Sequence, residues 1–275
     1  MKKILLFLFS ILIAVNSYGE TICLDTDAKE IDGILYLSNE TKPYTGKDFC
    51  KYQNNQLEVE GNYKEGKLID QTAYYYFENG QNKSTGKMKD GKRIGVWTWW
   101  SKNGQKESEG NFTDGDANGI HTYWYENGQI KVQGQFKDGR QDGGWIQWNE
   151  SGQITQEGNY KSDKRDGEFT FWHDNSQLMS VGSYKDDMEY GKWTIWYANG
   201  QKEQEVNYKE GKANGIFNMW YENGQQEIQG NAKDGEPHGK RTEWYENGQL
   251  KEESNFKDGK QDGKITQWYE SGQKW

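Results

Sequence analysis

A glycine-lysine pair beside hydroxyl side chains is the raw material of a phosphate-binding loop, and residues 80–88 read GQNKSTGKM. Such a loop needs four residues between its glycines and a Ser or Thr after its lysine. Its backbone amides then cradle phosphate and the hydroxyl reaches magnesium. Here five residues separate Gly80 from Gly86, and Met88 follows Lys87. The motif fails on spacing and on the magnesium ligand. DGDANG, from Asp114 to Gly119, opens like a calcium loop, but the twelfth position is Tyr125 where a bidentate Glu belongs. Related copies read DGRQDG and DGKQDG, so acidic turn chemistry is the better reading. His121, His173 and His238 fall in different repeat positions with no nucleophile or metal partner nearby in sequence. His121 replaces an aromatic residue in its column, which predicts a packed ring. No catalytic residue, cofactor or metal site is expected.

Two cysteines remain, Cys23 and Cys50. In an oxidising compartment they would close one disulfide around an N-terminal cap, worth roughly 3 kcal/mol. In a reducing one they would be two free thiols. The compartment is indicated by the first nineteen residues. Lys2 and Lys3 precede the apolar run from Ile4 to Val15, and Ser17 and Gly19 supply small residues for cleavage. This reads as a signal peptide over 1–19, too short for a membrane span. The sequence before Cys23 lacks a lipobox. The chain is therefore expected to be exported, to the periplasm, the cell surface or the medium, with no transmembrane segment after cleavage.

The formal net charge is −9. Losing the two leader lysines makes the chain more acidic still. Lysines alternate with Asp and Glu instead of forming a stripe, which disfavours nucleic acid and anionic membranes. Aliphatic residues are few, yet 13 Trp, 18 Tyr and 10 Phe are far too many for a solvated coil. With 34 Gly and only 2 Pro, the composition predicts many short strands joined by tight turns.

The elements that carry these residues recur. Asn-Gly-Gln or Ser-Gly-Gln turns begin at 79, 103, 127, 151, 175, 199, 223, 247 and 271, with Ser replacing Gly at 176, and every step is 24 residues. Trp100, Trp124, Trp148, Trp172, Trp196, Trp220, Trp244 and Trp268 keep the same step, and so do glycines from Gly95 to Gly263. A fixed period of this length means stacked repeats. Each unit reads as a β-hairpin: an aromatic strand, an Asn-Gly turn of type I′, a polar strand, and an Asp-Gly turn into the next unit. The predicted fold is all-β, an elongated single sheet of about nine antiparallel hairpins over 62–275, after a cap at 20–61.

The Trp100 column, constant from copy to copy, reads as structural. The slots at 97 and 99 vary, and a varying face on identical scaffolding is where a partner would be read. Trp97, Trp99, Tyr123, Trp145, Phe171 and Trp193 are the partner-binding candidates. A strict two-residue turn would place Trp97 opposite Gly110, where glycine leaves room for the ring, with Phe112 on the same face. A one-residue bulge reverses that face. The last unit stops at WYESGQKW, which predicts an open sheet edge available for self-association or for a partner strand.

The unit WYENGQ…EGNFKDGKxDG resembles the MORN repeat variant of many bacterial proteins, including the group labelled YwqK-family antitoxins. The resemblance covers about 62–275. It implies an extended β-sheet that binds proteins or membrane surfaces and has no catalytic residues of its own. Three functions follow as expectations. The first is an exported, non-enzymatic scaffold for protein-protein or cell-surface binding, adhesion and host contact included. The second is an antitoxin or immunity-like protein that masks a toxin by direct binding. The third is a cell-wall glycan binder, because tandem Trp-rich hairpins also occur in choline-binding repeats.

Overall fold

The computed structural model describes residues 22–24, 28–32, 34–37, 40–52 and 54–275. The leader expected over 1–19 lies outside the described residues. Every described regular element is a β-strand, as the turn-rich, aromatic composition demands. Among the described residues no helix is long and apolar enough to cross a membrane, and no cluster of His, Cys, Asp or Glu is placed to hold a metal.

The chain divides into two compact units: Met1–Gln129 with Phe136–Gly139, and Ile130–Gln135 with Arg140–Trp275. In the first, the strands from Gly46–Lys51 through Asp116–Trp124 pair in chain order, all antiparallel. Ile22–Leu24 lies on the other side of Gly46–Lys51, and Ala28–Ile31 pairs separately with Ile34–Leu37. In the second, the strands from Arg140–Trp148 through Leu250–Lys257 again pair in chain order. Two short strands then close on Leu250–Lys257. The antiparallel hairpin fold is the one the repeat predicts. Its hairpins begin before residue 62, however. Gly46–Lys51 and Leu57–Lys64 already form one, so the expected 61/62 boundary falls inside a strand. Cys50 is buried and disulfide-bonded. Its Cα partner in the ladder is Cys23, the only other cysteine of the chain.

Two turn types alternate, and the Asn-Gly-Gln turn differs from its expected form. The type I′ turns are the Asp-Gly pairs and their equivalents Glu65-Gly66, Ser162-Asp163, Asp186-Asp187 and Glu210-Gly211: Asp90 and Gly91 have φ of 49° and 74°, and Asp234 and Gly235 have 53° and 92°. Both central residues are left-handed, which matches the twist of the flanking strands. The Asn-Gly-Gln segments were expected to take this form and do not. Only their glycine has positive φ, as at Gly104 (85°). The Gly104 amide donates to the Ser101 carbonyl and the Ser101 amide to the Gln105 carbonyl, the pattern of a three-residue loop. The reason is the asparagine side chain. Asn103 Oδ1 accepts from the Gln105 amide at 3.1 Å, an Asx turn that satisfies the backbone without left-handed asparagine.

Asparagine also stitches repeats together. In the second unit Asn175, Asn199, Asn223 and Asn247 each donate Nδ2 to the carbonyl 23 residues on, at 2.7–3.1 Å. Beside this ladder runs another. The hydroxyls of Tyr197, Tyr221 and Tyr245 donate to the carbonyls of Trp220, Trp244 and Trp268, and His173 Nε2 to that of Trp196.

The core is a row of rings on one face, and glycine makes it possible. Trp97 stands between Gly86 and Gly110 in the ladders. Its ring lies across Gly86, as Trp145 does across Gly134, Phe169 across Gly158 and Trp193 across Gly182. A Cβ on any of these glycines would stand inside the ring's van der Waals envelope. The indole Nε1 then reaches the carbonyl one residue beyond: Lys87 at 2.8 Å, Gln135 at 3.3 Å, Ser183 at 3.1 Å. The later repeats depart from this: Arg241 and Ile265 stand in the ring position, and Ser254 replaces a glycine. Val206 replaces another and is itself buried, so Phe217 leans the other way, onto Gly230.

Overpacking of this kind costs ~1–3 kcal/mol. Gly182→Ala is expected to lose that much in urea unfolding when Trp193 is present, and far less in a Trp193→Ala background. Equal losses in the two backgrounds would show that the ring does not need the glycine. Asn223→Asp keeps the turn acceptor and removes the inter-repeat donor, for an expected loss of about 1 kcal/mol at neutral pH.

Candidate binding surface

The ring row places the expected partner-reading residues unevenly. Trp97, Trp145 and Trp193 are 1%, 7% and 6% exposed. They are core, and the expectation that these three read a partner is corrected on that ground. The same niche accepts His121 and Phe169, because the space over a glycine admits any flat ring. Trp99, Tyr123 and Phe171 are half-buried on the same face, two residues on from the core rings. The Trp100 column, expected to be structural, is half-buried, and the carbonyls of Trp196, Trp220, Trp244 and Trp268 receive the second ladder described above.

In the first unit the rings run in contact from Tyr75 to Phe136. Centroid separations are 6.2 Å for Tyr75–Trp97, 6.0 Å for Trp97–Trp99 and 5.8 Å for Trp99–Phe112. They tighten to 5.2 Å for Phe112–His121 and 4.7 Å for His121–Phe136. The returning strands therefore supply the bridging rings, since equivalent core rings are two strands apart. In the second unit Tyr160 and Tyr184 do the same for Trp145, Phe169 and Trp193.

The row is not uniformly filled. His121 occupies the position of Trp97, lies over Gly110 and bonds to the Asn111 carbonyl through Nε2 at 2.8 Å. Because a carbonyl can only accept, Nε2 carries the proton. The imidazole is smaller than an indole, and a shallow depression of ≈ 420 Å³ opens beside it. Trp99, Phe112, Tyr123 and Phe136 wall it, and Glu107, Ser108, Ala117 and His121 complete its lining. Of these residues only Trp99 and Tyr123 were singled out from sequence as partner-binding. Ala117 and Glu107 do not stand out in their columns, which also hold Ala213 and, for Glu107, Glu203 and Glu227; only the depression gives these two positions meaning.

Burial pushes the His121 pKa below its ordinary value of 6.5, partly offset by the bond to the Asn111 carbonyl. The imidazole is neutral in the folded chain over a pH range where the unfolded chain takes up a proton. Stability from this residue is intact above pH 6.5 and falls as pH drops through 6.5 toward the folded value. His121→Phe, which fits the niche as Phe169 does, should flatten that part of the stability-pH curve. A wild-type His121 titrating at or above 6.5 by NMR would contradict this.

Comparison with solved structures finds the crystal structure of TcdB2-TccC3-Cdc42 at 12% identity and a TM-score of 0.26, covering 85% of this chain and 13% of that one. TcdB2-TccC3 follows at 10% identity and 0.23, covering 76% and 15%. This chain thus spans a small part of those chains, and likenesses at such scores carry no argument. No curated protein matches. The family model of the MORN repeat variant matches residues 93–114, 117–138, 141–162, 165–186, 189–210 and 237–258. Each match runs from the aromatic strand through the three-residue loop and along the returning strand. Six segments of the chain thus match the MORN repeat variant.

Proposed function

We propose that the chain is an exported, non-enzymatic repeat scaffold that binds another protein through the half-buried aromatic face of its first unit. The observation that carries this reading is the depression walled by Trp99, Phe112, Tyr123 and Phe136. A repeat sheet spends its rings on its own core, and here one repeat leaves a concave, ring-lined surface with polar groups at its side. Concavity of that composition suits recognition. Export rests on the basic and apolar pattern of residues 1–19. Adhesion and toxin masking are two forms that such binding can take.

The test is retention of envelope and secreted proteins on the immobilised protein, compared with a Trp99→Ala/Tyr123→Ala variant whose circular dichroism and unfolding midpoint stay close to wild type. One stoichiometric protein, lost at least about tenfold in the variant, is the expected result; a tenfold loss corresponds to ~1.4 kcal/mol. Retention of wall glycan alone, released by free sugar or choline, would replace the protein-binding reading with a glycan-binding one. A protein retained equally by the variant would move the interface off this face.

A further inference from the structure

Two repeats lay an arginine of their own along the ring row. The Arg93 guanidinium carbon stands 4.9 Å from the Trp97 ring centroid, 5.4 Å from Trp99 and 5.7 Å from Phe112. Arg165, three repeats later, stands 3.8 Å from the Tyr184 centroid, and Asp187 Oδ1 accepts its Nε at 3.1 Å. Both arginines sit in one repeat position. Arg165 pairs with Tyr160, just before the irregularity that re-registers the strand for Phe169. Ala117 pairs with Phe112, just before the same irregularity ahead of His121. Residue 117 therefore stands in the column of Arg93 and Arg165, which elsewhere holds Gln141, Glu189, Ala213, Pro237 and Gln261, and here the side chain stops at Cβ. The ring that a guanidinium from 117 would face is Phe136, by analogy with Phe112 for Arg93 and Tyr184 for Arg165. Phe136 walls the depression.

We propose that the depression at Ala117 is a receptor for the guanidinium of an arginine side chain carried by a partner protein. The fold already displays the interaction twice, intramolecularly, and in this repeat Ala117 and His121, smaller than the Arg93 and Trp97 of their columns, leave the same place open to solvent. A guanidinium suits it better than an ammonium. It is flat, weakly hydrated and stacks on ring faces. The position equivalent to Asp187 is Gly139 in this repeat, and Glu107, which lines the depression, is the acid there. The net charge of −9 draws a basic partner toward the surface. This inference deepens the protein-binding reading above and rests on it, by naming what the partner presents.

The experiment titrates the full protein with acetyl-Gly-Arg-Gly-amide, and with its lysine and citrulline analogues, following the Trp99 indole and His121 imidazole by NMR. Citrulline keeps the shape of arginine and removes the charge. The arginine peptide should shift both resonances saturably, with citrulline at least about tenfold weaker, as loss of a desolvated cation–π contact implies. Ala117→Arg fills the position as Arg93 does and should abolish the shifts while leaving the unfolding midpoint unchanged. Glu107→Gln should weaken binding with no change in fold. Equal binding of citrulline or lysine, or undiminished binding by Ala117→Arg, would overturn the proposal. The two readings fail separately. A protein partner retained equally by wild type and Ala117→Arg keeps the scaffold and sinks the arginine receptor. Arginine-peptide binding that Ala117→Arg abolishes, with no protein retained, keeps the receptor and sinks the scaffold reading.

Discussion

A flat ring lying on a glycine is the contact on which the rest of this structure depends. A single antiparallel sheet has no second layer to bury its apolar side chains, so each ring must find cover within its own face. Glycine on the preceding strand removes the one atom that would hold the ring off the backbone. The ring then settles onto main chain, and an indole or imidazole N–H closes the arrangement on a carbonyl that the ring would otherwise screen from water. Burial and polar satisfaction are achieved by the same placement, which is what a thin structure requires. The exception supports the point. Where Val206 takes the place of glycine, the ring at 217 moves to the glycine on its other side.

From this contact the period follows. A ring and its glycine are eleven residues apart, joined through an Asp-Gly turn whose two left-handed residues set the register. The next glycine lies thirteen residues on, through the three-residue Asn-Gly-Gln loop. Neither loop can gain or lose a residue without moving a ring off its niche or turning it to the other face. The asparagine and tyrosine ladders on the loop edge add a second constraint. They join each repeat to the next by side-chain bonds to the backbone, so a shift in one loop would break bonds in its neighbour.

Much of this was legible in the sequence. The 24-residue step, the all-β class and the alternation of two turns came from columns of Trp, Gly and Asn. The turn types could not be read so simply, because Asn-Gly favours a type I′ turn only where the asparagine side chain has no better use; here Asn103 and its equivalents bond two residues ahead. The identity of the core column was misread for a related reason. Trp100 and its repeats never vary, which suggests a core. The column at 97 varies among Trp, His and Phe, with Arg241 and Ile265 in the last two copies, which suggests a surface. Yet Trp97 and Phe169 are fully buried, since a glycine niche accepts any flat ring of suitable size. The constant Trp sits at the loop edge, where in the second unit its carbonyl is fixed by the ladder. Variation in this chain therefore marks tolerance of shape, and constancy marks position in a bonded lattice.

The same tolerance explains how one repeat can acquire a surface of its own. In a stacked array each unit answers mainly to its neighbours, so the cost of a local change stays local. Replacing an indole by the His121 imidazole gives up ring area, yet keeps the glycine contact and the carbonyl bond. Contacts with Phe112 and Phe136, at 5.2 and 4.7 Å, hold the smaller ring in line. An alanine at 117 gives up only a side chain that lay on the outside of the row. Neither change touches the turns or the ladders that set the register. A concave, ring-lined surface can thus be opened in one unit by two substitutions, because the sheet is held by glycine niches and loop bonds that those substitutions leave in place.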